Sequence, residues 1–247
     1  MSSLTPAVPA KPASTGHGHD GHPPIIRGGG DDFRGDGSPD FGRRMRRARF
    51  GLFAAMVPIL SLFLGISVAY VLRHSTSVVD TTTRQVVRYW VEVQLPVGLL
   101  LFNTLLLLLS SCTMEMARRQ IAQQAALEPL RRIPGLIPDT GLKFPWLGLS
   151  MFLGLAFLAG QAMAWRVLEL RGFFMSTGAS SGFVYVLTGT HAVHLAGGMI
   201  VLAYAQFATL SRKSIEHRRI VVDLTAWYWH FMAVLWICIF ALLYFAR

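Results

Sequence analysis

From Phe50 onward the chain holds five apolar stretches of spanning length, 50 to 72, 95 to 113, 146 to 168, 182 to 209 and 222 to 246. At about 1.5 Å rise per residue, about twenty helical residues cover the roughly 30 Å of bilayer hydrocarbon. Backbone groups in lipid must be satisfied inside their own segment, so each stretch is expected to be a helix. The predicted fold is therefore all-α, a polytopic bundle of five transmembrane helices. Composition agrees, since 53% of the 247 residues are hydrophobic and 15% charged, and the mean hydropathy is +0.45. That balance excludes an ordinary water-soluble globule.

Residues 1 to 49 differ in kind. They are rich in Gly, Pro, Ser, Asp and Arg, as in Arg27-Gly28-Gly29-Gly30-Asp31-Asp32. A segment with so little apolar surface cannot offset the entropy of ordering it, so it reads as a flexible tail. It lacks the apolar core and small-residue cleavage site of a secretory signal, and the first membrane segment is expected to stay with the mature protein. The division is a tail over 1–49 and a membrane unit over 50–247.

Orientation follows from where the basic residues fall. Of the 23 Lys and Arg, eight lie in the tail; Arg118, Arg119, Arg131, Arg132 and Lys143 lie between the second and third stretches; and Arg212, Lys213, Arg218 and Arg219 lie between the fourth and fifth. Arg73, Arg84, Arg88, Arg166, Arg171 and Arg247 are left for the opposite side. The positive-inside rule then puts the amino terminus in the cytoplasm and, after an odd number of crossings, the carboxy terminus outside. The net charge of +10 is thereby explained without nucleic acid, for which no motif is present.

Ionisable groups at membrane depth mark function by default. Few are found: Glu92, Glu115, Glu169 and Asp223 read as helix-end residues, and no file of carboxylates crosses the bilayer. A proton or ion path through this chain alone is not expected. His191 and His194, three apart on the fourth stretch, share one helix face, a spacing open to metal or haem ligation. With no second cluster of ligands at that depth, they read instead as neutral, hydrogen-bonded packing residues. Gly178, Gly182, Gly189, Gly197 and Gly198 would let helices approach closely there. Trp227-Tyr228-Trp229-His230-Phe231 opens the fifth stretch and reads as an aromatic belt or a lipid- or partner-facing surface. Cys112 and Cys238 read as buried structural thiols. His17, His19 and His22 have the composition of a weak metal binder without the second shell to fix its ligands. Phosphate-loop, Ser-His-Asp and Cys-x-x-Cys patterns are absent.

These segments resemble subunit III of the haem-copper cytochrome c and quinol oxidases over most of residues 50 to 247. Trp227-Tyr228-Trp229-His230-Phe231 with Trp236 is similar to that family's last-helix motif W-Y-W-H-F-x-D-x-x-W. Thr188-Gly189-Thr190-His191-Ala192-Val193-His194 resembles its T-G-x-H-x-x-H, Asn103-Thr104 through Ser110-Ser111 its N-T-x-x-L-L-x-S-S helix, and Gly160-Gln161 its Q-x-x-E-[YW] motif. The order of motifs matches the last five helices of the longer, seven-helix members. Three acids of the family pattern are replaced: an ungapped match from Tyr70 to Arg73 places Pro58 at the embedded Glu, and Ala164 and Ala233 stand at the other two positions.

The resemblance implies a non-catalytic oxidase subunit with no cofactor on this chain, and with haem and copper in partner subunits. It implies subunits I and II and phospholipids as partners, with a larger respiratory supercomplex as a further one. Asn103, Gln161, His191, His194, Trp227, Trp229 and His230 are the implied structural or lipid-adjacent residues, and none is expected to be catalytic or metal-binding. Two other readings are an accessory subunit of a nitric oxide reductase and an independent transporter. The transporter would need an ion site or inverted repeat at the midplane, which the sequence does not display.

Overall fold

The computed structural model describes residues 40–76, 78–79, 86–87, 93–128, 145–211 and 213–245. The tail histidines, Glu92, and Arg84, Arg88, Arg131, Arg132, Lys143, Arg212 and Arg247 lie outside the described residues. Five helices carry the fold: α1 Phe41–Ser75, α2 Val97–Leu127, α3 Trp146–Leu170, α4 Ala179–Leu210 and α5 Ile215–Phe245. All five are long and apolar enough to cross a membrane. Between α1 and α2, β1 (Val78–Val79) and β2 (Val86–Val87) pair antiparallel, Val78 opposite Val87.

Three helices run well beyond their apolar stretches. α1 starts at Phe41, so residues 41 to 49, assigned to the tail on composition, belong to the bundle. Arginine is a good helix former, and Phe41 and Met45 supply a buried edge within the basic run. α2 continues past Thr113 to Leu127, and α5 begins at Ile215, ahead of the apolar run at 222. Glu115 and Asp223 are consequently inside helices and not at their ends, which corrects the sequence-based placement.

Local chemistry sets several boundaries. Pro96 and Pro145 immediately precede α2 and α3, where a missing N–H costs nothing. Just past the end of α3 stands Gly172, whose φ of 82° suits the left-handed cap that glycine adopts without strain. There the Gly172 N–H donates to Glu169 O at 2.9 Å and Phe173 N–H to Leu168 O at 3.0 Å.

α2 packs against α3 and α5, α4 against α3 and α5, and α1 lies on the outside against α4 and α5. The core gathers Leu107, Met114, Phe157, Leu187, Leu195, Trp229, Met232 and Trp236. α1 contributes a single seam, in which Met56, Phe63 and Tyr70 recur every seven residues. Such a stripe fits a helix laid against a bundle along one line.

Glycine permits close approach at only some positions. A Cβ on Gly160 would lie 2.0 Å from Asn103 Oδ1, and one on Gly154 2.9 Å from Trp229 Cζ2. Among the glycines singled out on α4, Gly198 lies under Tyr228, whereas Gly178, Gly189 and Gly197 face open space. Cys112 and Cys238 are free and exposed on the bundle surface, which corrects their reading as buried thiols. On a membrane bundle the outer surface is apolar too, so an apolar neighbourhood in sequence does not signal burial.

The α2–α3 contact makes a direct prediction. Gly160→Ala should destabilise the bundle by about 1–3 kcal/mol through overpacking against Asn103. Adding Asn103→Ala should recover most of that loss, read as the midpoint of denaturation in mild detergent. A double variant no better than the single one would show that the two residues do not share this contact.

Candidate functional site at the charged end of the bundle

The extended ends of α1, α2 and α5 meet at one end of the bundle and carry its ion pairs. Arg49 of α1 donates from Nε to Asp223 Oδ2 at 2.8 Å and from Nη2 to Oδ1 at 3.0 Å, a two-pronged contact. Arg118 of α2 donates to the same Asp223 Oδ1 at 3.3 Å. It also grips Glu115 through Nε at 2.7 Å and Nη2 at 2.8 Å. Arg119 Nε donates to Glu115 Oε1 at 2.8 Å. Further out, Arg44 of α1 pairs with Glu216 of α5, and the Arg219 guanidinium lies 5.1 Å over the Phe41 ring.

Basic and acidic groups alternate through this network, Arg49, Asp223, Arg118, Glu115 and Arg119, so each acid sits between two arginines. Asp223 is the most enclosed member: its side chain is 7% exposed against 41% for Arg49 and 35% for Arg118. A carboxylate so removed from water needs several donors, and it has three from two helices. His230 extends the network toward the membrane interior. Its Nδ1 meets the Ser111 hydroxyl, and its Nε2 lies 3.6 Å from Glu115 Oε2.

The buried polar groups of the interior are tied differently. Three tryptophan indoles each donate to a hydroxyl on a neighbouring helix: Trp229 to Ser110 at 3.1 Å, Trp236 to Thr104 at 3.0 Å and Trp165 to Thr188 at 3.0 Å. The Ser110 hydroxyl in turn donates to the backbone Ser150 O at 2.9 Å, joining α5, α2 and α3 in one chain. Large rings with one polar atom supply packing area and a fixed direction together.

The aromatic run of α5 is distributed around its helix. Trp227 points outward with its ring edge-on to Phe53, 5.7 Å between centroids. The Tyr228 hydroxyl donates to His194 O at 2.9 Å, and Trp229 is fully buried. His191 is fully buried among Phe157, Trp236 and Phe63, at centroid distances of 5.9, 5.1 and 6.4 Å. Neither of its ring nitrogens has a hydrogen-bond partner among the described residues, so ring packing stands where a hydrogen bond was expected. The His194 ring nitrogen Nδ1 bonds within its own helix to Thr190 O at 2.8 Å, and the ring packs on Phe63 at 5.6 Å.

Asn103 and Gln161 are buried at the α2–α3 contact. Both Asn103 amide atoms and Gln161 Oε1 lack a hydrogen-bond partner among the described residues. Gln161 and Ala164 border an apolar groove with Leu100, Thr188 and Trp236. Among the described residues, no group of three or more His, Cys, Asp and Glu is placed to hold a metal ion. The charged end was not legible as a site in the sequence. Its one local signal was the spacing of Glu115, Arg118 and Arg119, while Arg49 and Asp223 are joined by the fold alone.

The model of the family described as Cytochrome c oxidase subunit III matches residues 42–247. The chain belongs to that family. A cytochrome c oxidase subunit 3 of Synechocystis sp. is 27% identical over 234 residues, which is 92% of this chain and 78% of the relative. A cytochrome bo(3) ubiquinol oxidase subunit 3 of Pseudomonas aeruginosa is 27% identical over 146 residues, 58% of this chain and 62% of that one. A Nocardia farcinica protein named "Probable cytochrome c oxidase subunit 3" is 30% identical over 102 residues, 41% of this chain. That match spans 50% of the relative, so the chain covers about half the length of the first curated relatives it matches.

Removing the shared acid tests the network. Asp223→Ala should lower stability by about 1–3 kcal/mol, between the values for exposed and buried pairs, measured as a shift in unfolding midpoint. Arg119→Gln, which breaks an exposed pair, should cost no more than about 0.5 kcal/mol. Equal losses in the two variants would contradict the central place of Asp223.

Proposed function

We propose that the chain is a non-catalytic integral subunit of a haem-copper terminal oxidase, seated beside subunits I and II and stabilising the catalytic one. The observation that carries this reading is the family match, which runs through all five helices. The side chains support it. Strong charge pairing is gathered at one end, and the interior tryptophans are bound helix to helix through Ser110, Thr104 and Thr188. His191 and His194 meet aromatic side chains in place of further ligands, so the donor set does not suit haem or copper on this chain. Haem and copper then belong to the partner subunits and carry the oxygen chemistry there.

In the same reading the subunit lies in a bacterial inner membrane. The basic ends of α1, α2 and α5 face the cytoplasm, as the distribution of Lys and Arg favours. Phospholipids cover its outer grooves, and the tail ahead of α1 offers a segment for docking into a larger respiratory assembly. Replacement of the family's three acids by Pro58, Ala164 and Ala233 argues that this subunit supplies its partner with contacts and not with protons. Ala164 and Ala233 are buried, and Pro58 is exposed on α1.

Gentle extraction of a tagged full chain tests the proposal. A large subunit with haem and copper spectra should co-purify, and the separated chain should show no Soret band. Recovery of a haem-free homo-oligomer that moves a solute across liposomes would overturn the oxidase reading in favour of a transporter. A co-purifying partner with nitric oxide reductase activity and no copper would overturn the partner's identity.

A further inference from the structure

The basic start of α1 holds more charge than the bundle neutralises. Arg43, Arg44, Arg46, Arg47 and Arg49 fall within its first turns. Arg44 and Arg49 turn toward α5, to Glu216 and Asp223. Among the described residues Arg43 pairs only with the neighbouring Asp40, in a pair exposed on both sides. Arg46 and Arg47 are exposed and have no acidic partner among the described residues.

At about 100° per residue, Arg43, Arg46, Arg47 and Phe50 share one face of α1. The same face continues through Ala54, Val57 and Leu64 into the apolar stretch. It is bare: Phe50 is 78% exposed, and Val57 and Leu64 are each 62% exposed. The opposite edge, with Met45, Met56 and Phe63, is the one buried against the bundle. A cationic patch therefore stands directly above an open apolar stripe on the same helix.

We infer that this outer face of α1 is a site for one anionic phospholipid, its phosphate held by Arg46 and Arg47 and its acyl chain laid along Phe50, Val57 and Leu64. Arginine meets phosphate with paired N–H donors, and basic residues next to a membrane segment attract anionic lipid. The juxtaposition decides the class of ligand. A soluble phosphate would satisfy the arginines and leave the stripe unused, and a zwitterionic lipid would bring its own headgroup cation to an already basic patch. An acidic protein segment would meet the charges without reaching membrane depth. Asp40 disfavours an anion at the upper edge of the patch, which places the phosphate on the Arg46 and Arg47 side. The inference rests on the reading that phospholipid is a partner of this chain, and adds its location and headgroup charge.

The test uses the full chain in the complex in which it is extracted, equilibrated with vesicles of phosphatidylcholine containing phosphatidylglycerol. Native mass spectrometry then counts the retained lipid. The wild type should keep phosphatidylglycerol in preference to phosphatidylcholine, and Arg46→Gln/Arg47→Gln should weaken that preference about fivefold per arginine removed. Arg46→Lys/Arg47→Lys should keep most of it. Neither arginine bonds another side chain among the described residues, so an unchanged unfolding midpoint checks that the variants fold. Equal retention of the two lipids, an unchanged preference in the Gln variant, or equally tight binding of glycerol phosphate would each overturn the site. A co-purified acidic protein occupying this face would overturn it as well. Co-purification of the large subunit is scored on the same samples. A wild type with no lipid preference but an intact complex overturns this site alone, whereas a wild type that keeps the preference without the large subunit overturns only the oxidase reading.

Discussion

A carboxylate close to lipid is held only where donors converge on it, and Asp223 is such a group. Arg49 reaches it from α1 and Arg118 from α2, so one side chain on α5 ties three helices at the same level. Glu115 repeats the device on α2, shared by Arg118 and Arg119. The rest of the bundle is consistent with this level being fixed. Below it, hydroxyls on α2 line up with indoles on α5, Ser110 with Trp229 and Thr104 with Trp236. A shift of one residue along either helix would part both of those pairs and the ion pairs above them.

α1 depends on this end more than any other helix does. Its seam is narrow, its main contacts among the described residues are with α4 and α5, and much of its surface is left open. Association in lipid has no water-driven apolar term to hold such a helix, so close packing and polar contacts must do it. Phe63 supplies the packing by lying against both His191 and His194. Arg44 and Arg49 supply the polar contacts. The histidine pair thus does for α1 what a ligand pair would do for a metal: it offers a fixed, rigid face, here to a phenyl ring.

The family motifs acquire a physical meaning in this arrangement. Trp229 is the large ring that fills the space left by Gly154, Tyr228 does the same over Gly198, and His230 meets Ser111 of the Asn103 helix motif. Gly160 gives Asn103 the room it occupies. These are contacts between motifs, and they describe a scaffold whose specific residues fasten helices to each other. The acids absent at Pro58, Ala164 and Ala233 take no part in that scaffold, and the two alanines lie in its buried core.

Length and hydropathy were enough to read five spanning helices, because a helix in lipid is dictated by each segment separately. The family motifs were legible too, since they lie within single helices. Helix ends were not: residues 41 to 49, 114 to 127 and 215 to 221 look like tail or loop by composition, yet they continue as helix. Exposure was also hidden, as Cys112 and Cys238 show, because apolar residues line both the inside and the outside of a membrane bundle. Trp227 and Trp229 read alike in sequence and face opposite surroundings. The pairing of Arg49 with Asp223, 174 positions apart, belongs wholly to the tertiary structure, since only packing of α1 on α5 brings charges so distant in sequence into contact.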